Sequence, residues 1–371
     1  MATPRNPALI LKEKLDASGW TQDELAAITG KNRSQITKLL AGLTSISPEM
    51  AVVLAAAFGD APEDWLHWGT QYELSLVEAP VEEITKRAKF YADLPIRDMQ
   101  KRGWLSLTAD TNTLELELDQ LLGQPMMQLA ARKSDPFSDL SPKEKAWALR
   151  TRQLAATLLV QPYDDTRLPQ LIKKLRVLAA YPEEVTKLST VLAGYGIRFL
   201  IVEPLTGSTL DGATFWMDGI PVIAMTARFD RNDNFWFTFF HELGHVLARD
   251  AYSFDSFGSN TEAGFQIGEA AAEAAADRFA ADTLVPTAEL TSFISRVAPL
   301  YQETRIVQFS IRVKMHPGII LGQLHKRGEV SYGAHRKLIS KIRDSATRTT
   351  LTDGWGHSIS PKLLDGDQVA I

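Results

Sequence analysis

A chain of 371 residues with 45% hydrophobic and 23% charged residues exceeds one comfortable hydrophobic core, and two or three globular domains are expected. It has no cysteine, which excludes disulfides, thiolate metal sites and cysteine nucleophiles, so any metal must sit on imidazole, carboxylate or water. A formal net charge of −5 argues against nonspecific coating of nucleic acid. No apolar run reaches the roughly 20 residues that span a bilayer. The only apolar patch near the N-terminus is broken by Lys12, Glu13 and Lys14, unlike a signal peptide or an anchor. The expected location is the cytoplasm, with no membrane partner.

Residues 1–75 carry dense helix punctuation. Thr21 and Glu24 have capping-box spacing, with Gly30 as a stop; Asn32 and Gln35 repeat the box, with Gly42 as the next stop. Ser47-Pro48-Glu49 opens a further helix that closes at Gly59. Leu25, Ala26, Ile36, Leu39 and Leu40 fall at helical spacing, so this segment reads as an all-helical domain. Residues 76–140 read as a helical linker, with a loop or connector from Gly123 onward. Ser141-Pro142-Lys143-Glu144 starts a long helix that opens a third region, 141–345.

Between 196 and 228 the character changes. GIRFLIVEPL and GIPVIAMTAR are short, β-branched and bounded by glycine and proline, which predicts strands, and ATFWMD between them is expected to pair in a small sheet. Helices resume near 233 and run to about 297, and residues 346–371 are expected to form an irregular C-terminal tail. The fold class is therefore mainly α with a small β-sheet (α+β).

The stretch FWFTFFHELGHVLARD holds His241, Glu242 and His245. Four residues on a helix turn through about 400°, so both imidazoles leave one face, roughly 6 Å apart along the axis. Two neutral imidazoles so placed can grip a divalent ion, with Glu242 beside them as a base. Phe235, Phe239 and Val246 would surround the helix with apolar neighbours. Gly244, costly inside a helix, marks either a close approach of another backbone or substrate, or plain packing. A catalytic site needs a third protein ligand. Glu269, Glu273 and Asp277, spaced by four on an alanine-rich helix, are the candidates, although such a stripe can also be a solvated face.

FWFTFFHELGHVL followed by EAAADRFAADTLVP resembles the ImmA/IrrE family of metallopeptidases, over roughly residues 141–345. The resemblance implies a zincin-like domain in which His241, His245 and Glu273 bind Zn2+, with Mn2+ as the alternative, and Glu242 is the general base. It also fits the gluzincin arrangement, in which Asp277 would orient a ligand histidine from behind. His316 is a candidate for the oxyanion but is more readily structural. His67, His325, His335 and His357 have no partner pattern and are expected to be surface or packing residues.

TQDELAAITGKNRSQITKLLAGL has helix-turn-helix spacing, with residues 33–41 as the recognition helix. It resembles the XRE-type repressor domain, and the following stretch extends the likeness towards HigA/VapI-type antitoxins. The resemblance suggests that Asn32, Arg33, Ser34, Gln35 and Lys38 face the major groove, with Lys31 beside them; Ile36 and Leu39 would face the core. Residues 1–75 hold six Lys/Arg against nine Asp/Glu, yet three of the six cations cluster here. This fits a weak half-site binder that gains affinity as a homodimer, and it also fits a helical domain used for protein contact.

Taken together, these readings predict a DNA-binding transcriptional regulator on operator DNA, fused to a zinc-dependent endopeptidase. Its substrate would be an XRE-type repressor, a toxin-system partner or the chain itself. The alternative is an antitoxin-like repressor whose metal domain senses or binds a partner without catalysis; it would tolerate loss of Glu242.

Overall fold

The computed structural model describes residues 4–78, 81–107, 110–122, 140–249, 252–253, 268–355 and 357–359. They form two compact units, Met1–Thr85 and Lys86–Ile371. The division lies ten residues beyond the boundary expected at 75, inside a helix.

Five helices build the first unit: α1 (Pro7–Ser18), α2 (Gln22–Thr29), α3 (Arg33–Leu40), α4 (Pro48–Phe58) and α5 (Pro62–Leu76). Both capping boxes form. Thr21 accepts from the Glu24 amide while Glu24 accepts from Thr21, and Asn32 and Gln35 do the same, satisfying N-terminal amides that the helix itself leaves bare. Gly30 and Gly59 close their helices in the left-handed region. Leu11, Leu25, Ile36, Leu54 and Trp65 are fully buried in the core they share.

After α6 (Val81–Asp93), which spans the division, come α7 (Ile96–Lys101), α8 (Thr111–Leu122), α9 (Pro142–Ala155), α10 (Leu168–Ala179) and α11 (Leu188–Gly194). The strands β1 (Arg198–Val202), β2 (Gly212–Met217) and β3 (Ile220–Met225) follow where expected. Then come α12 (Asn232–Ala248), β4 (Tyr252–Ser253), α13 (Gly268–Leu284), α14 (Thr287–Val297), α15 (Glu303–Val313), α16 (Pro317–Lys326), α17 (Arg343–Arg348), β5 (Leu351–Gly354) and β6 (His357–Ile359). The six-stranded sheet has the order β4-β2-β3-β1-β5-β6. β1 runs parallel to β3 and β5, and β2 is antiparallel to β3.

The sheet is covered on both faces. Phe199, Ile201, Ile223 and Met225 face the core that contains α12. Leu200, Val202, Val222 and Ala224 face the opposite layer. Burial on both sides explains why β1 and β3 read as continuous apolar runs rather than alternating ones.

That opposite layer corrects one expectation. Phe90, Ile96, Met99, Trp104, Leu114 and Leu118, from the region read as a linker, are part of the second unit's core. Helix periodicity alone does not reveal which sheet face a helix covers. Most of the connector expected from Gly123 lies outside the described residues. A second correction concerns the tail. Residues 351–354 pair with β1, Leu200 opposite Leu351 and Val202 opposite Asp353, and β6 pairs with β5. A four-residue strand of Leu, Thr, Asp and Gly has no alternation to show, and its backbone pairing depends on a partner some 150 residues away. No helix among the described residues is long and apolar enough to cross a membrane.

Candidate metal centre and recognition helix

α12 brings the candidate metal ligands His241 and His245 to the sheet. Phe235, Trp236, Phe239 and Phe240 are buried and meet largely edge to face, and Phe239 also packs edge-on against Phe199 of β1. Such ring pairs fix the helix more tightly than their area alone would. One turn further on, His241 and His245 point away from the sheet towards α13. Glu242, about 100° round the helix, points to β2.

His241 Nε2 lies 3.2 Å from His245 Nε2 and 3.1 Å from Glu273 Oε2, and His245 Nε2 lies 3.3 Å from Glu273 Oε1. A tetrahedral ion with bonds of about 2.0–2.1 Å holds its donors roughly 3.3 Å apart, so these contacts, in which the two histidines meet different oxygens of Glu273, are compatible with zinc-sized coordination. Two imidazoles and one carboxylate also match the ligand types of a three-residue zinc site with a fourth position open. Among the described residues this is the group of three or more His, Asp and Glu close enough to share an ion. Asp277 Oδ1 lies 3.0 Å from His241 Nδ1. A proton there donates to the carboxylate and leaves Nε2 with its lone pair in the donor cluster. Glu269 has its side chain outside the described residues.

Ligands from two helices converge because the helices approach closely. A Cβ on Gly244 would sit 3.1 Å from the Cα of Ala276 on α13 and 3.3 Å from Phe279. Of the roles open to Gly244, backbone approach is the one observed.

Glu242 is buried, 7% exposed. Thr214 Oγ1 donates to its Oε2 at 2.8 Å and also lies 3.0 Å from its carbonyl oxygen. A Cβ on Gly212 would come within 2.8 Å of Oε1, so the bare glycine makes room for the carboxylate. Burial pushes the Glu242 carboxyl above its ordinary range, while the Thr214 hydrogen bond and the two histidines pull the other way. Burial also acts to raise Asp277, but Lys326 and His241 hold it below the usual carboxylate range. Sequence reasoning missed Thr214 and Gly212: nothing in a strand's composition says that its residues face a base thirty positions later.

His316 is structural. Its Nδ1 accepts from the Gly318 amide at 3.0 Å and from Asn232 Nδ2 at 2.8 Å, which puts the ring proton on Nε2, 3.3 Å from Ser340 Oγ. Burial lowers its pKa. It caps α16 and ties it to the start of α12. His67 is exposed and His335 half-buried, whereas His325 is buried against Tyr332. The side chain of His357 lies outside the described residues.

In the first unit Asn32, Arg33, Ser34, Gln35 and Lys38 are exposed along α3, and Ile36 and Leu39 are buried. Asn32 and Gln35 also form the capping box, so each has one polar atom committed to the backbone. Lys31 is bonded to Glu49, and Arg33 Nε lies 3.2 Å from Asp23 Oδ1. The hydroxyl of Thr37 lies 3.0 Å from Gln22 Oε1 and links α3 to α2.

A family model described as an IrrE N-terminal-like domain, of the M78 peptidases, matches residues 195–333, and a helix-turn-helix family model matches residues 11–66. An uncharacterized HTH-type transcriptional regulator, YddM of Escherichia coli K12, is 30% identical over 82 residues, 22% of this chain and 87% of its own. Virulence-associated protein A' of Dichelobacter nodosus is 35% identical over 78 residues, 21% of this chain and 68% of its own. The chain belongs to the helix-turn-helix regulators and carries an IrrE N-terminal-like domain. A solved structure of an addiction module antidote protein of a HigA family from Coxiella burnetii is 26% identical, covering 25% of this chain and 97% of its own, with a TM-score of 0.19. The IrrE-like match runs from the residue before Gly196 to just past α16, so it includes the donor cluster, Glu242 and Thr214.

Proposed function

We propose that the chain is an operator-binding regulator whose IrrE-like domain hydrolyses peptide bonds, with His241, His245 and Glu273 as zinc ligands and Glu242 as the general base. The observation that carries this reading is the cluster of two imidazole nitrogens and the Glu273 carboxylate, in contact at 3.1–3.3 Å, with the buried Glu242 carboxylate on the helix of the two histidines. When bound, a divalent ion supplies Lewis-acid polarisation of the scissile carbonyl and acidifies the attacking water. Manganese is the alternative ion. The chain's own residues supply the rest. Thr214 pins one Glu242 oxygen, and the other, beside Gly212, accepts a proton from the attacking water and returns it to the leaving amine nitrogen. The apolar wall of α12 keeps bulk water from the back of the site. Asp277 holds the His241 ring from behind.

The exposed face of α3 suits the major groove: Arg33 towards guanine, Asn32 and Gln35 towards adenine, Ser34 and Lys38 towards phosphates. A homodimer places two such helices on two half-sites. The substrate is proposed to be an XRE-type repressor, a toxin-system partner or the chain itself.

The deciding experiment is metal content by elemental analysis of wild type, Glu273→Ala and Glu242→Gln. About one zinc per chain in wild type and Glu242→Gln, with clear loss in Glu273→Ala, supports the assignment. Wild type that takes up no metal after reconstitution overturns it and leaves the non-catalytic repressor.

A further inference from the structure

Lys326, the last residue of α16, places its ammonium where three helices meet. Its Nζ donates to Asp277 Oδ2 of α13 at 2.9 Å, while the other oxygen of the same carboxylate meets His241 Nδ1 at 3.0 Å. The same Nζ lies 4.2 Å from the ring centroid of Phe237, one turn before His241 on α12. The carboxylate of Asp277 is 44% exposed, so on its own it can rotate into solvent and leave Nδ1 to water. A cation that occupies one oxygen and is itself seated on an aromatic face removes that freedom.

The end of α16 provides a fixed frame for this lysine. One turn earlier, Gln323 Nε2 donates to the Ala281 carbonyl at 2.8 Å, so residues 323 and 326 grip α13 at 281 and 277. Gly322 carries no side chain where a Cβ would fall 2.6 Å from Asp233 Oδ2, which lets α16 settle against the start of α12. Both helices that carry ligands are therefore held by the helix that carries Lys326.

We propose that Lys326 is a positioning residue of the metal centre: through Asp277 it holds His241 in the tautomer protonated at Nδ1, which keeps the Nε2 lone pair inside the donor cluster. The inference rests on the reading of His241 as a metal ligand. An exposed ion pair contributes little to stability, so the effect of Lys326 falls on ligand orientation rather than on folding. Arginine can replace it, because a guanidinium keeps both the charge and the stacking on Phe237.

The test uses the full-length chain as wild type, Lys326→Met, Lys326→Arg, Asp277→Asn and His241→Ala. For the spectra each protein is metal-free and also carries Glu273→Ala, which removes the carboxylate 3.1 Å from His241 Nε2; long-range 1H–15N spectra then report each tautomer, with the His241 signals assigned by their loss in His241→Ala. Zinc affinity is measured separately by competition with a chromogenic chelator. The expected result is an Nδ1–H tautomer at His241 in wild type and Lys326→Arg, and a mixture of tautomers in Lys326→Met. Zinc binding should be about 3- to 10-fold weaker in Lys326→Met, and weaker by about 10- to 100-fold in Asp277→Asn. If Lys326→Met keeps both the wild-type tautomer and the wild-type affinity, the proposal is overturned while the metal centre stands. If His241→Ala binds zinc as tightly as wild type, the reading of His241 as a ligand fails and the proposal fails with it.

Discussion

Gly244 of α12 lies against Ala276 of α13, so close that a single methyl group would fall 3.1 Å from the Ala276 Cα. The donor atoms of His241, His245 and Glu273 meet because no side chain separates the two backbones there. Gly244→Ala should therefore push Glu273 away from the histidines. Alanine restores about 1 kcal/mol of helix propensity, while overpacking costs about 1–3 kcal/mol. The expected net loss of stability is modest, about 1 kcal/mol, and the loss of zinc affinity is larger, about tenfold. Urea unfolding together with chelator competition separates the two, and unchanged zinc affinity would count against this packing argument.

Thr214 is expected to matter through its hydroxyl. Thr214→Val keeps the volume but leaves the buried Glu242 carboxylate without its donor, at a cost of about 1–3 kcal/mol at neutral pH. Thr214→Ser should recover most of it. Chemical denaturation of the three proteins checks this, and a valine variant as stable as wild type would rule it out.

Glu242 also sets a pH dependence. Its folded pKa is raised, so between the ordinary glutamate range and that raised value the folded metal-free chain holds a proton that the unfolded chain has released. Stability from this group is fully present below the ordinary range and is lost as pH climbs through the raised value. Glu242→Gln should accordingly be more stable than wild type at neutral pH in excess chelator, with the difference vanishing under acid conditions. Thermal melts of both proteins across pH measure it.

Asp230 joins distant parts of the second unit. Its Oδ1 accepts the amides of both Ile342 and Arg343, each at 2.9 Å. Asp230→Ala leaves two amides unmet at the start of α17 and should cost about 1–3 kcal/mol. Faster proteolysis in the segment from Ile342 to Gly354 is the second expected sign.

On the recognition helix, Arg33 is held by Asp23. Asp23→Asn should free it and strengthen binding to duplex DNA several-fold at low salt. Lys38→Ala should weaken binding across all sequences and reduce the salt slope by about 1. Fluorescence anisotropy at several salt concentrations reads both. A Lys38→Ala variant with the wild-type slope would remove that lysine from the phosphate contacts.

Local chemistry determined much of this protein. The capping boxes at Thr21 and Asn32, the stops at Gly30 and Gly59 and the four-residue spacing of His241 and His245 depend on neighbours within one or two helical turns. So do the short β-branched runs of β1 and β3 between glycine and proline, and the sequence alone was enough to read all of these. What depends on partners far along the chain was decided only in three dimensions. The helices after Lys86 became a layer of the sheet, and Leu351–Gly354 became a strand, because burial and backbone pairing are settled by whatever lies opposite. The donor spacing at the metal centre, the hydroxyl of Thr214 on Glu242 and the ammonium of Lys326 on Asp277 belong to this second kind. Periodicity places a side chain on a face of its own helix or strand, while the distance to a group on another element is set by the packing of both.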